Sequence, residues 1–254
     1  MSASGARLSV MCGRYQNRAE KQRIAEAFRV GIPSTFEIPP SYNIAPQSSQ
    51  PIVRLNRDTA DRELALLRWG LVPFFAKDSK IGYSTVNARA ETITTSPVFR
   101  EAMKHRRCLV PATGFYEWQK LDKRAKQPWT IELVDGDVFA FAGLWDRWKD
   151  RATGGVLETY TIITTDPNNL VQPLHDRMPV ILSPSDYDRW LDPGDPDRPP
   201  IDLLRPFPAE RMEAWRVSTA VGNAKNDSPN LRLPLSEEPR DLFSGLNADS
   251  STIR

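Results

Sequence analysis

Between residues 108 and 165 the chain alternates short apolar runs with brief polar breaks, and this spacing limits the fold more than any other feature. The runs at 108–112, 115–120, 129–134, 138–144 and 159–165 are rich in Val, Ile, Phe, Tyr, Trp and Thr. They have the length and composition of strands rather than of helices that carry a core. Residues 120–127 and the triplet Asp135-Gly136-Asp137 are turns between neighbours. Alternation at 52–55 and 64–69 predicts a further hairpin over 57–62, with two more strands at 178–182 and 215–218. Helices are few. One is expected from an Asn17 cap to Val30, with Ile24 and Phe28 one turn apart on its buried face and Gly31 and Pro33 stopping it. Ser96 followed by Pro97 opens a second, running to His105. Residues 168–174 read as a helical turn, 185–191 as a capped helix, and 39–51 as an ordered loop anchored by Tyr42 and Ile44. The fold class is α+β: a single domain on a curved antiparallel β-sheet or barrel with a few short helices.

Composition narrows the function by exclusion. With 34 Lys and Arg against 32 Asp and Glu the net charge is only +2, so a nucleic-acid surface must come from local clustering. Two cysteines, Cys12 and Cys108, cannot build a disulfide framework, and no run reaches transmembrane length. Two histidines without a metal-ligand spacing exclude the common metal sites, and no cofactor is expected. The chain reads as a cytoplasmic, reduced monomer. Residues 1–10 form an extension expected to be absent or removed, 11–235 the folded domain, and 236–254 a polar, flexible tail.

Met11-Cys12-Gly13-Arg14-Tyr15 carries the most pointed chemistry. If Met11 is removed, Cys12 presents two nucleophiles: an α-amine with a pKa of about 7.7–8.0 and a thiol near about 8.5. Together they suit an aldehyde, which the amine takes as an imine and the thiol closes into a thiazolidine. A buried structural cysteine is the plain alternative. Glu117 lies among aromatics in Gly114-Phe115-Tyr116-Glu117-Trp118, a setting that desolvates a carboxyl and raises its pKa, unless it lies on an exposed strand face. His175 precedes a strand and is either a proton shuttle or a core histidine. Asn87 and Arg89 end a long loop, where they can orient a substrate and clamp a phosphate, or simply satisfy the loop. Between residues 100 and 126 there are eight Lys or Arg against three acids. With Phe74, Phe75, Tyr116 and Trp118, this mixture supplies what single-stranded nucleic acid needs, cations for phosphates and flat rings for bases.

Eight strings in register resemble the SOS-response-associated peptidase (SRAP) family of abasic-site processing proteins. Besides the Cys12 and Glu117 strings they are Tyr42-Asn43-Ile44-Ala45-Pro46, Trp69-Gly70-Leu71-Val72-Pro73, Asn87-Ala88-Arg89-Ala90-Glu91-Thr92, Arg107-Cys108-Leu109-Val110-Pro111-Ala112, His175-Asp176-Arg177-Met178-Pro179 and Val221-Gly222-Asn223-Ala224-Lys225-Asn226. The resemblance implies a mixed α/β domain that binds abasic sites in single-stranded DNA and crosslinks their aldehyde to the cysteine. It implies Cys12 as double nucleophile, Asn87 on the opened sugar, Glu117 as proton handler, and His175 as acid or base on the sugar oxygen. Arg14, Arg89 and Arg177 would bind phosphates and Phe74 and Phe75 would form an aromatic wedge, with Trp118 also facing the DNA. The family pattern starts at Met-Cys, whereas ten residues precede Met11 here. A start at Met11 is expected; self-cleavage would also free Cys12, whereas retention of the extension would leave it without an amine. Two rival functions stand beside this one: a thiol peptidase using Cys12 and His175, and a non-covalent single-strand-binding module.

Overall fold

In the computed structural model, residues 13–34, 36–122 and 125–235 are described. Their strands are β1 (Tyr15–Asn17), β2 (Ser41–Ile44), β3 (Ser49–Leu55), β4 (Arg62–Trp69), β5 (Asn87–Arg89), β6 (Arg107–Ala112), β7 (Gly114–Lys120), β8 (Lys126–Leu133), β9 (Phe139–Lys149), β10 (Val156–Thr165), β11 (Met178–Pro179), β12 (Ile181–Leu182) and β13 (Met212–Arg216). The short α-helices among these residues are α1 (Lys21–Phe28), α2 (Arg100–His105) and α3 (Tyr187–Leu191), supplemented by several 3-10 turns.

Strands β10, β4, β3, β6 and β9 pair in that order, and β9 pairs back to β10, closing a five-stranded barrel. Within this ring the β4–β10 pairing is parallel and the others are antiparallel. Closure removes the free edges that an open sheet of this size would expose. Strand β5 adds to β10 in parallel, β11 pairs with β10, and β12 with β9. A second, antiparallel sheet runs β13-β8-β7-β1-β2. The fold is therefore the expected α+β class, with a curved antiparallel sheet and barrel and few helices.

Alternation along the strands divides the apolar side chains between two main clusters. One joins barrel residues Trp69, Cys108, Phe141 and Tyr160 to Tyr15, Phe115 and Ile131 of the second sheet. Its polar centre is the bond between the Tyr15 and Tyr160 hydroxyls, 2.8 Å long and fully buried. The other packs Ile24 and Phe28 of α1, Met103 of α2 and Trp190 of α3 against barrel residues such as Leu109 and Ile163. The helices thus cover one side of the barrel, while the second sheet packs on it elsewhere.

Several sequence expectations change at their boundaries. Asn17 does not cap α1; it is buried in β1, paired with Ser41, and the helix begins four residues later at Lys21. Ile24 and Phe28 are nonetheless its buried face. The segment expected as a loop over 39–51 contains β2 and the start of β3, because β1 offers β2 a pairing edge that local sequence does not reveal. The helix predicted from Ser96 is a hydrogen-bonded turn before α2 starts at Arg100. The strand predicted over 178–182 breaks at Val180, whose N–H donates to the Ile163 carbonyl and whose own carbonyl accepts from Ala142, so one residue bridges β10 and β9. The last strand lies at Met212–Arg216 rather than 215–218.

Candidate functional site

Cys12, the expected nucleophile, lies outside the described residues. Gly13, the residue after it, is buried. Strand β1 lies against β7 with Tyr15 opposite Phe115, and the Tyr116 N–H donates to the Arg14 carbonyl at 3.0 Å. Continued one residue beyond Arg14, this register brings Gly13 to Glu117. Glu117 is 2% exposed and pairs in register with Trp129 across the β7–β8 hairpin.

The other candidate side chains reach the same neighbourhood from the barrel. Asn87 and Arg89 lie on β5, opposite Ile162 and Thr164 of β10. His175 follows the turn over 168–174, which Asn168 closes with both its carbonyl and its side chain, and leads into β11. The apolar neighbours of these residues share one cluster: Val86 beside Asn87, Leu174 beside His175, and Phe115 and Trp129 around Glu117. Three segments from distant parts of the chain, each carrying one of these polar residues, therefore meet around one apolar cluster. Lys120 and Lys126, at the turn end of the β7–β8 hairpin, act electrostatically on His175, which places the ring near the hairpin carrying Glu117.

The histidine is mostly buried, and burial lowers its pKa below the ordinary value, with Asp176 opposing. Its Nδ1 accepts the Arg177 backbone N–H at 3.1 Å. Asp176 Oδ1 also lies 3.0 Å from Nδ1, but that carboxylate is 87% exposed and weakened by solvent. A neutral ring that accepts at Nδ1 carries its proton on Nε2, leaving Nε2–H as its donor.

Of the three arginines assigned to phosphates, two are held by protein oxygens. Arg14 donates to Asn43 Oδ1 at 2.8 Å and to the carbonyls of Val221 and Gly222 at 2.9 and 3.2 Å. Arg177, 8% exposed, donates to both carboxylate oxygens of Glu91, to Asp166 at 3.1 Å and to the Thr164 carbonyl at 2.7 Å. It holds the Glu91 carboxyl below the usual carboxylate range. Of five N–H donors, Arg14 keeps two, whereas Arg177 keeps only Nε–H, which is buried. Arg89 is exposed, and its guanidinium forms no hydrogen bond or ion pair among the described residues.

Phe74 and Phe75 stand on a tight turn after Pro73, 56% and 44% exposed, edge to face with ring centroids 5.3 Å apart. Trp118 does not join them. It alternates to the opposite face of β7 from Glu117 and packs on the small cluster of Tyr116, Val217, Val221 and Leu231.

Sequence reasoning missed the group that assembles much of this. The buried Asn43 side chain shares its two Nδ2–H donors among the carbonyls of Val221, Asn223 and Asn226, at 3.1, 3.1 and 2.8 Å, while its Oδ1 accepts from Arg14. Asp227 adds bonds to Ser41 Oγ, at 3.0 Å, and to the Tyr42 N–H. Glu91 was likewise visible only as part of a string. Among the described residues no group of three or more His, Cys, Asp or Glu is arranged to hold a metal ion, and no helix is long and apolar enough to cross a membrane.

This fold and site define a known class. The family model of the SOS response associated peptidase (SRAP) matches residues 11–224, and the chain belongs to that family. Its curated relatives include the abasic site processing protein YoqW of Bacillus subtilis, 46% identical over 224 residues, which span 87% of this chain and 98% of the relative. The abasic site processing protein HMCES of Gallus gallus is 35% identical over 264 residues, covering 92% of this chain and 76% of the relative. A crystal structure of a Bacteroides thetaiotaomicron protein superposes with a TM-score of 0.75 at 30% identity, covering 87% of this chain and all of that one.

Two outcomes follow from the geometry. Asn43→Ala should destabilise the protein by about 2–3 kcal/mol, because three carbonyls and Arg14 are deprived of a buried partner together. Asn43→Asp should be as destabilising despite keeping its acceptor for Arg14, because it turns an oxygen toward the three carbonyls; denaturant titration reads both. His175 supplies a pH dependence. With the folded pKa depressed below the ordinary 6.5, the unfolded chain binds the proton first, so stability falls as pH drops through about 6.5 toward the folded value. Thermal melts across that window should show this slope, and His175→Asn should flatten it.

Proposed function

We propose that this protein recognises abasic sites in single-stranded DNA and captures them covalently through Cys12. The observation that supports this reading is that the segments carrying Asn87, Glu117 and His175 meet around one apolar cluster, with Glu117 in register with the point where the chain enters at Gly13. The names of the relatives support it, since YoqW and HMCES are both called abasic site processing proteins.

The chemistry balances without a co-reactant. The Cys12 amine adds to the aldehyde carbon of the ring-opened sugar, and loss of water gives an imine. The thiol then adds across the C=N bond, sulfur to carbon and proton to nitrogen, and closes the thiazolidine. Water leaves only if a proton reaches the departing oxygen while the attacking amine stays unprotonated. Glu117 is the buried carboxyl assigned to pass that proton beside the N-terminal segment. A neutral His175, donating through Nε2, serves the sugar oxygen, and Asn87 holds the opened sugar. Arg89 offers an uncommitted cation to a flanking phosphate and Arg14 the remaining donors of a guanidinium already fixed in place, while Arg177, with its Nη donors taken and its Nε buried, contributes its positive charge alone. Phe74 and Phe75 stack on or wedge the strand. The amine exists only when Cys12 is the first residue, so processing to Cys12 is part of the proposal.

Intact-mass measurement before and after incubation with a single strand carrying one abasic site tests it. A chain starting at Cys12 should gain the mass of the oligonucleotide less one water, and Cys12→Ala should form no heat-stable adduct while still binding undamaged strands. Glu117→Gln should slow adduct formation by roughly 10²-fold or more, the usual scale for removing an acid–base group, with little change in binding. Adduct formed equally well by Cys12→Ala would overturn the reading.

A further inference from the structure

The barrel has a second end, and the proposed site does not use it. The C-terminal ends of β3 and β9 and the N-terminal ends of β4, β6 and β10 all lie there, as the pairings require. A cavity of about 430 Å³ on the barrel wall beside Ser49, Leu66 and Arg68 adjoins two of about 500 and 570 Å³ at this end. The first and second share Arg147 and Glu158, and the second and third share Arg57, Arg106 and Trp145, so together they form one groove.

Its lining contains acids as well as bases, but the two are not equally available. Arg54, mostly buried, takes up Glu63 at 2.6 Å and Glu158 at 3.1 Å while its guanidinium lies 4.0 Å from the Trp145 ring centroid. Arg106 takes up the buried Asp146 at 3.2 Å. Two guanidiniums here thus face three carboxylates, and Arg68 and Arg107, which also line the groove, add two further cations. Arg57 and Arg147 are exposed and form no ion pair among the described residues, and Arg57 lies 5.3 Å from the Trp145 ring centroid. Against them the rim carries the carboxylate of Asp58. His105 lines the same groove further on.

The groove is rigidly joined to the aromatic turn. Asp146 accepts the Phe74 N–H at 3.1 Å and the Arg147 N–H at 2.7 Å, and the Trp148 indole donates to the Ala76 carbonyl at 2.8 Å. Phe74 is itself part of the groove wall, with the Arg106 guanidinium 5.9 Å from its ring centroid. Strand β10 supplies the distance. Ile162 pairs with Asn87 at the site and Glu158 lines the groove, four residues or about 13 Å along one strand at roughly 3.3 Å per residue. That span is short beside the several nucleotides a single-strand groove usually covers.

We propose that this groove is an extension of the DNA-binding surface: the single-stranded flank of the lesion passes Phe74 and Phe75 and lays its phosphates along Arg57 and Arg147. The inference rests on the proposed function above, and its test separates the two. Anisotropy titrations compare undamaged single strands of about six and about twenty nucleotides, lengths bracketing a short site and an extended one. The protein should bind the long strand at least about tenfold more tightly, the effect of adding a second set of phosphate and base interactions. Arg57→Glu combined with Arg147→Glu should erase that gain, leave short-strand affinity unchanged, and reduce the slope of log K against log salt by about 1.4, or roughly 0.7 for each phosphate no longer neutralised. Arg57→Gln with Arg147→Gln, which adds no repulsion, should give the same direction with a smaller effect. Equal binding of both lengths by the unaltered protein, or an equal weakening on both lengths in the Glu variant, would overturn the groove assignment. Adduct formation on a short abasic strand, read by mass, reports on the proposed function alone: adduct without a length effect removes the groove and keeps that function, and no adduct removes the function whatever the groove does.

Discussion

One buried side-chain amide holds the N-terminal part of this structure together. Asn43 gathers three carbonyls of the 221–226 loop on its donors and the Arg14 guanidinium on its acceptor. Strand β1 is only three residues long, too short to be fixed by its own ladder. Its position between β2 and β7 depends on the groups that grip its ends: Arg14 on one side, and the Tyr15 hydroxyl bonded to Tyr160 inside the barrel. Unsatisfied polar groups at such depth are costly, so this junction is either complete or strongly destabilising.

The barrel extends that rigidity to the opposite side of the site. Strand β10 pairs with β4, β5, β9 and β11, and so fixes β5, which carries Asn87 and Arg89, relative to β11 and the preceding His175. The Arg177 bonds to Glu91 and to the Thr164 carbonyl cross this region, tying the segment after β5 to the segment before β11. Two clamps, one centred on an amide and one on a guanidinium, therefore hold β1 and the segments flanking β5 and β11 in place. Asp146 plays a similar part for the aromatic turn: its carboxyl, pushed up by burial, is surrounded by the Phe74 and Arg147 N–H groups and Arg106.

Much of this was legible in the chain, for identifiable reasons. Strands such as β6 and β9 are apolar runs whose pattern needs no partner to be recognised. Ile24 and Phe28 announced the buried face of α1 because helical period is a local property. What failed was non-local. Asn17 has the chemistry of a helix cap, yet pairing with Ser41 draws it into a strand; β2 is visible only once β1 is there to receive it. The site divides in the same way. Asn87, Glu117 and His175 stood out as polar residues in apolar frames, which is a local signal. The roles of Asn43, Glu91 and Asp146 lie mainly in partners tens to hundreds of residues away, and no spacing rule reaches that far. Trp118, by contrast, is turned by strand alternation to the other face from Glu117, a placement its aromatic identity alone does not reveal.

The arrangement also explains why an aminothiol shortly before β1 in the sequence makes chemical sense in the proposed reaction. Chain termini are ordinarily the least ordered part of a domain, and a nucleophile on a loose end forfeits the advantage of orientation. Here the residues immediately after Cys12 are among the best held in the molecule: Gly13 is buried, Arg14 is bonded to three oxygens, and Tyr15 is 2% exposed. Anchoring the following residues this firmly limits where the reacting amine and thiol can go, without any side chain having to grip the nucleophile itself. The fixed geometry needed for imine formation and ring closure would then come from the backbone of β1, and the struts that position β1 become as necessary to the reaction as the groups that move its protons.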